Sequence, residues 1–191
     1  MSVQLNFLDY LAIMPELMLI ALLFIVLGYK SFAKKPDGRT AGLITAWGVG
    51  LMLIVLAVLA TVFWQDIAAY DSRVLGAGLN IPVLRWGSMI AADPIGVIFR
   101  FMFLVALMLT ALLSLDTPAL QHSEYFSLLI AATIGFNLMA VATDFVMLMI
   151  ALETAGISLY LLAGYVTKDE RSAEAGIKYF VYGAFATAIM L

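Results

Sequence analysis

Long apolar runs, each closed by a short polar stretch, set the pattern of this chain. A helix needs about 20 mostly apolar residues to cross the hydrocarbon of a bilayer. By that measure the pattern predicts six spans, at about 7–29, 41–64, 94–114, 124–141, 144–166 and 172–191. Local chemistry supports several of the starts. Asp93-Pro94 opens the third span, Ser123-Glu124 reads as the cap signal of the fourth, and Thr143-Asp144 leads into the fifth. In the first, Pro15 and Glu16 fall in the early part, where proline is tolerated and a carboxylate complements the helix dipole. The sixth is still apolar at Leu191. From Ile177 to Leu191 the helix would be only about 22 Å long, short of a hydrocarbon core of about 30 Å. The expected architecture is therefore one all-α transmembrane domain over 1–191, a six-span bundle that is the N-terminal part of a longer chain.

The polar stretches add orientation. The first connection, "KSFAKKPDGRT", holds Lys30, Lys34, Lys35 and Arg39, and the fifth, "TKDERS", holds Lys168 and Arg171. Basic residues concentrate on the cytoplasmic side, which places the N-terminus outside. The long connection 65–92 contains "RVLGAGLNIPVLRW", two short apolar runs separated by glycines, and a small β-hairpin is expected there. Trp64 and Trp86 suit an interfacial aromatic belt.

Composition narrows the chemistry. The chain is 64% hydrophobic and 12% charged, about half the charged fraction of a soluble domain. It has no Cys, so disulfides, thiolate metal sites and cysteine nucleophiles are excluded. A net charge of −3 without runs of like charge gives no footprint for nucleic acid. His122 is the single histidine and makes no metal site by itself. No Gly-rich phosphate loop, catalytic triad or haem-ligand pair is present, so redox chemistry has no local home.

Candidate function rests on charges inside the spans, which by default face a bundle interior or a wet cavity. Glu153 stands near mid-depth in "DFVMLMIALETAGISLYLLAGYV". A carboxyl there is a candidate for proton exchange, and Gly156, Tyr160 and Gly164 share its helix face. The alternative is a hydrogen bond that glues two helices together. Lys178 has two readings: an i,i+4 ion pair with Glu174 at a helix start, or a buried lysine that passes a proton. Arg100, in "GVIFRFMF", is expected to snorkel to the outer interface rather than to pair with a carboxylate in the bundle.

Four segments together carry a family resemblance: "PELMLIALLFIVLGYK", "DPIGVIFRFMFLV", "ALETAGISLYLLAGYV" and "DERSAEAGIKYFVYGAFATAIML". They resemble subunit N of the bacterial proton-pumping NADH:quinone oxidoreductase, complex I. The resemblance implies an antiporter-like subunit of which the first six helices are present, in the bacterial inner membrane beside other membrane subunits. It implies that Glu153 and Lys178 match a glutamate and a lysine on the proton path. It also implies no cofactor in this chain, with NADH, FMN, iron–sulfur clusters and quinone in partner subunits. Subunits of multisubunit Na⁺/H⁺ antiporters and membrane-bound hydrogenases are related alternatives. A structural or assembly subunit without a proton path is the alternative of another class. "MPELML" and the long connection after span two favour subunit N.

Overall fold

The computed structural model describes residues 7–32, 37–62, 83–86 and 88–190. Helices α1 (Phe7–Ala12), α2 (Met14–Phe32) and α3 (Gly38–Val62) come first. A hairpin of β1 (Val83–Arg85) and β2 (Ile90–Ala92) follows. Then come α4 (Pro94–Leu113), α5 (Ser123–Val141), α6 (Phe145–Ala163) and α7 (Glu170–Met190). Two single 3₁₀ turns, Ser114–Asp116 and Pro118–Leu120, join α4 to α5. The first expected span is thus two helices. Pro15 has no N–H to donate to the carbonyl four residues back and its ring crowds that carbonyl, so the helix breaks just ahead of it.

Among the described residues, five helices are long and apolar enough to cross a membrane: Met14–Phe32, Gly38–Thr61, Pro94–Asp116, Ser123–Val141 and Phe145–Ala163. Helix α7 is as long, but Glu170, Arg171, Glu174 and Lys178 occupy its first half. Large apolar side chains such as Phe24, Trp47, Ile54, Ile98 and Leu113 ring the outside of the bundle. That surface suits hydrocarbon, since soluble monomers rarely expose contiguous apolar area on this scale.

Helix α5 is the central one, with 56% of its span buried against 33% or less in the others. It packs on α2, α4 and α6. Its core stripe, Phe126, Ile130, Ile134, Asn137 and Val141, recurs at i+3 and i+4 and is buried throughout. On its other side Gly135 brings α6 close. A Cβ at Gly135 would lie 2.5 Å from the backbone nitrogen of Ala155 and 2.7 Å from the carbonyl oxygen of Ala151.

The helix starts are set locally. Asp93 caps α4, its Oδ1 accepting from the Gly96 N–H at 2.7 Å, with Pro94 at the first helical position. Asp144 caps α6, accepting from the N–H groups of Val146 and Met147. Ser123 is not a cap. It lies inside α5, its carbonyl accepts from the Ser127 hydroxyl at 2.8 Å, and His122 holds the cap position without a side-chain bond. Glu124 is drawn instead into an ion pair with Lys30 at the end of α2.

The hairpin lies within 65–92, with Val83 opposite Ala92, Leu84 opposite Ala91 and Arg85 opposite Ile90. Its two strands are joined between Arg85 and Ile90; the glycines of 73–82, where the sequence separates the two apolar runs, lie outside the described residues, as does Trp64. Trp86 and Ser88 take positive φ, 51° and 74°, and the Trp86 ring stacks edge-on against Tyr10 at 5.9 Å. The hairpin is also tied to the α5–α6 junction. Ile90 bridges Ala142, the Thr143 N–H donates to the Met89 carbonyl at 3.0 Å, and the Thr143 hydroxyl donates to the Ser88 carbonyl at 2.6 Å.

Candidate functional site

Glu153 lies on α6 between Phe145 and Ala163, about 12 Å from the first of these and about 15 Å from the second at helical rise. Its side chain is half-buried. No hydrogen bond or ion pair engages it among the described residues, and its one electrostatic neighbour is the phenol of Tyr160. Side chains on a helix lean back toward its N-terminus. The Tyr160 hydroxyl accordingly reaches the level of Gly156, one turn from Glu153. A Cβ at Gly156 would stand 2.9 Å from that hydroxyl, and one at Gly183 of α7 only 1.9 Å from it. Two glycines on facing helices thus make the slot that the phenol fills.

Helices α6 and α7 run antiparallel. Gly164 faces Gly176 closely enough that a Cβ on Gly176 would lie 2.9 Å from the Gly164 Cα. The Tyr160 ring meets Tyr179 at 4.9 Å and Phe180 at 5.8 Å. This register puts Lys178 beside the Tyr160–Tyr179 contact, about two and a half turns, or roughly 13 Å, along the axis from Glu153. The two sequence candidates therefore share a helix pair but do not touch, and Tyr160 stands between them. Lys178 Nζ pairs with Glu174 Oε1 at 2.5 Å, and both side chains are about two-thirds exposed.

A second polar group was legible only in part. Arg100 does not snorkel, and Glu16 does more than complement a dipole. Arg100 Nη2 lies 2.8 Å from Glu16 Oε1, with the side chains 7% and 2% exposed. Beyond this ion pair, the two carboxylate oxygens and the Arg100 Nε and Nη2 have no hydrogen-bond partner among the described residues. The packing of α2 on the bundle gives Arg100 a counter-charge within it. Asn137, on the α5 stripe, is fully buried, and neither amide atom is bonded among the described residues. The one signal for it in the sequence is a lone amide in the apolar run "IGFNLMAV".

At the opposite ends of the helices, Tyr165 follows α6 and its ring meets Tyr125 at 5.3 Å. Burial first, and then the Glu124 carboxylate, push the Tyr165 phenol above its ordinary value of 10.0.

Five apolar helices side by side, with ionisable groups held between them, define an all-α multi-pass membrane protein. The family described as "NADH:quinone oxidoreductase/Mrp antiporter, TM" matches residues 142–191. NADH-quinone oxidoreductase subunit N 1 of Roseiflexus castenholzii is 37% identical over 211 residues, covering 100% of this chain and 38% of the relative. NADH-quinone oxidoreductase subunit N 2 of Symbiobacterium thermophilum is 34% identical over 188 residues, covering 96% and 35%. The chain belongs to the subunit N family of NADH:quinone oxidoreductases. NAD(P)H-quinone oxidoreductase subunit 2 of a Synechococcus strain is 42% identical over 131 residues, covering 62% of this chain and 24% of the relative. The chain spans less than two-fifths of the length of these relatives.

Proposed function

We propose that this chain forms part of a membrane subunit of bacterial NADH:quinone oxidoreductase and takes part in proton translocation coupled to quinone reduction. Glu153 and Lys178 are the proton-transfer residues. The observation that carries this reading is the state of Glu153: mid-helix, half-buried, and held by no ion pair among the described residues. A carboxyl in that setting loads and unloads a proton when a neighbouring charge moves.

Glu153 does not reach Lys178 directly, so the path between them runs through intermediate groups. The Tyr160 hydroxyl is placed for this, one turn from Glu153 and lodged against α7 at Gly183. The Glu174 carboxylate, one turn before Lys178, pairs with the lysine and gives its charge a local partner. One charge moved across 100 mV is worth about 2.3 kcal/mol, the scale that any bias in direction has to match.

The other membrane subunits of the complex are the partners, and NADH, FMN, iron–sulfur clusters and quinone belong to partner subunits. The basic connections carrying Lys30, Lys34, Lys35 and Arg39, and Lys168 and Arg171, face the cytoplasm of the inner membrane, with the N-terminus outside.

The test is Glu153→Gln in the complete enzyme reconstituted in vesicles, with quinone reduction and acidification followed together. Proton transport per electron falls sharply while the complex still assembles. Pumping at the full rate refutes the role. The matching family description also names a Mrp antiporter, so the same vesicles run with and without Na⁺ separate proton from Na⁺ transport.

A further inference from the structure

Among the described residues, three buried side chains on three helices leave six polar atoms without a hydrogen-bond partner beyond the Arg100–Glu16 ion pair: Glu16 Oε1 and Oε2, Arg100 Nε and Nη2, and Asn137 Nδ2 and Oδ1. Each side chain is more than nine-tenths buried. Native proteins satisfy such groups almost without exception, by protein or by ordered water.

The packing brings the three to one level. Helices α4 and α5 run antiparallel. A Cβ at Gly96 would lie 2.7 Å from Val141 Cγ1, and the rings of Phe103 and Phe136 meet at 5.3 Å. Arg100, four residues after Gly96 and three before Phe103, therefore falls at the level of residues 137–139 on α5, where Asn137 stands. Asn137 shares its face with Val141, one turn away, and that face meets α4. Glu16 on α2 closes the group through its ion pair with Arg100. Arg100 also lines a cavity of about 30 Å³. Asp93 and Arg100 supply its charged lining, and Leu56, Val97 and Val141 form part of the apolar wall. A water needs about 10–15 Å³ of such space, so the cavity has room for more than one.

We infer that Glu16, Arg100 and Asn137 form an internal water-binding site, continuous with the cavity at Asp93. The ligand is water, held as a small cluster. The carboxylate accepts from it, the guanidinium donates to it, and the Asn137 amide does both. The site gives α2, α4 and α5 a shared hydrogen-bonded junction, separate from the Glu153 helix pair.

The test is X-ray hydroxyl-radical labelling of the whole complex in membranes, read by mass spectrometry, because radicals formed from bound water modify the side chains touching it. Val141 and Leu56, 1% and 3% exposed, are compared with Val49 and Ile130, both 0% exposed and away from the site. The site predicts labelling of Val141 and Leu56 several-fold above Val49 and Ile130. Equal labelling overturns it. In an Asn137→Leu complex shown to assemble on native gels, Val141 labelling falls to the level of Ile130; undiminished labelling there removes Asn137 and overturns the three-residue site. The wild-type comparison decides the matter if that variant fails to assemble. Labelling does not depend on pumping and survives Glu153→Gln, so this site and the proton-transfer reading fail separately.

Discussion

Arg100 and Glu16 meet 2.8 Å apart, almost sealed from solvent, although one stands on α4 and the other in the first turn of α2. A buried pair of this kind adds little net stability, because both ions were taken out of water to make it. Removing one partner is a different matter, since the other charge is left uncompensated. Arg100→Met is expected to cost about 3–5 kcal/mol. Arg100→Met combined with Glu16→Leu is expected to recover most of that loss. Thermal unfolding of the purified complex, followed for both variants, checks the order: wild type and double variant close together, single variant well below.

The α5–α6 contact gives a steric prediction. Gly135→Val places side-chain atoms on the Ala151 carbonyl and the Ala155 nitrogen, which are backbone and cannot swing aside. The helices must separate, and assembled complex on native gels should fall to a small fraction of wild type. Gly50, around which nothing lies within 4 Å, is the control: Gly50→Ala should leave assembly unchanged and should stabilise α3 by up to about 1 kcal/mol.

The phenol slot predicts coupling between helices. Gly183→Ala pushes on the Tyr160 hydroxyl, which stands 1.9 Å from the new Cβ position. Tyr160→Phe removes the nearest of the colliding atoms and leaves Cζ and Cε1, at 2.4 and 2.8 Å, to give way. Residues in direct contact give non-additive effects. The double variant should therefore lose less stability than the two single losses added together, measured as midpoints of thermal unfolding. Additive losses within about 0.3 kcal/mol would show that the two residues do not meet.

An alkaline effect follows from Tyr165, which lies outside the spans. Its phenol is raised in the folded chain by burial first and then by Glu124. The folded protein therefore holds this proton more tightly than the unfolded one. The contribution is complete below the ordinary value of 10.0 and is lost as pH rises through the higher folded value. Stability should decline above pH of about 10, and Tyr165→Phe should flatten that decline. The difference between wild-type and variant melting curves across the range isolates this group from the lysines that titrate nearby.

Much of the fold could be read from residues alone, for physical reasons that differ by element. The spans were visible because each is apolar on nearly every side, and the caps at Asp93 and Asp144 because capping is settled within three residues. Pro15 was visible too, yet its consequence, a break between α1 and α2, depends on how the chain around it is packed. Ser123 had the sequence of a cap but was overtaken by the Lys30–Glu124 pair across α2 and α5. Arg100 and Glu16 were each noted, but no spacing rule joins residues 84 positions apart. Asn137 gave only a single polar letter. For Glu153 and Lys178 the sequence supplied the candidates and the helix register supplied the separation between them. The phenol in its two-glycine slot belongs to tertiary structure, since Gly183 lies on the next helix.

The hairpin fastened to Ala142 and Thr143 has a mechanical consequence. Strand β2 runs directly into the start of α4, and the same turn clamps the junction from which α6 departs. That end of α6 is a hinge post, splinted to two neighbours. With Ala151 and Ala155 pressed on Gly135 of α5, α6 is moored at two heights up to Ala155. Past that point the close glycine approach of the rod is to α7, at Gly164.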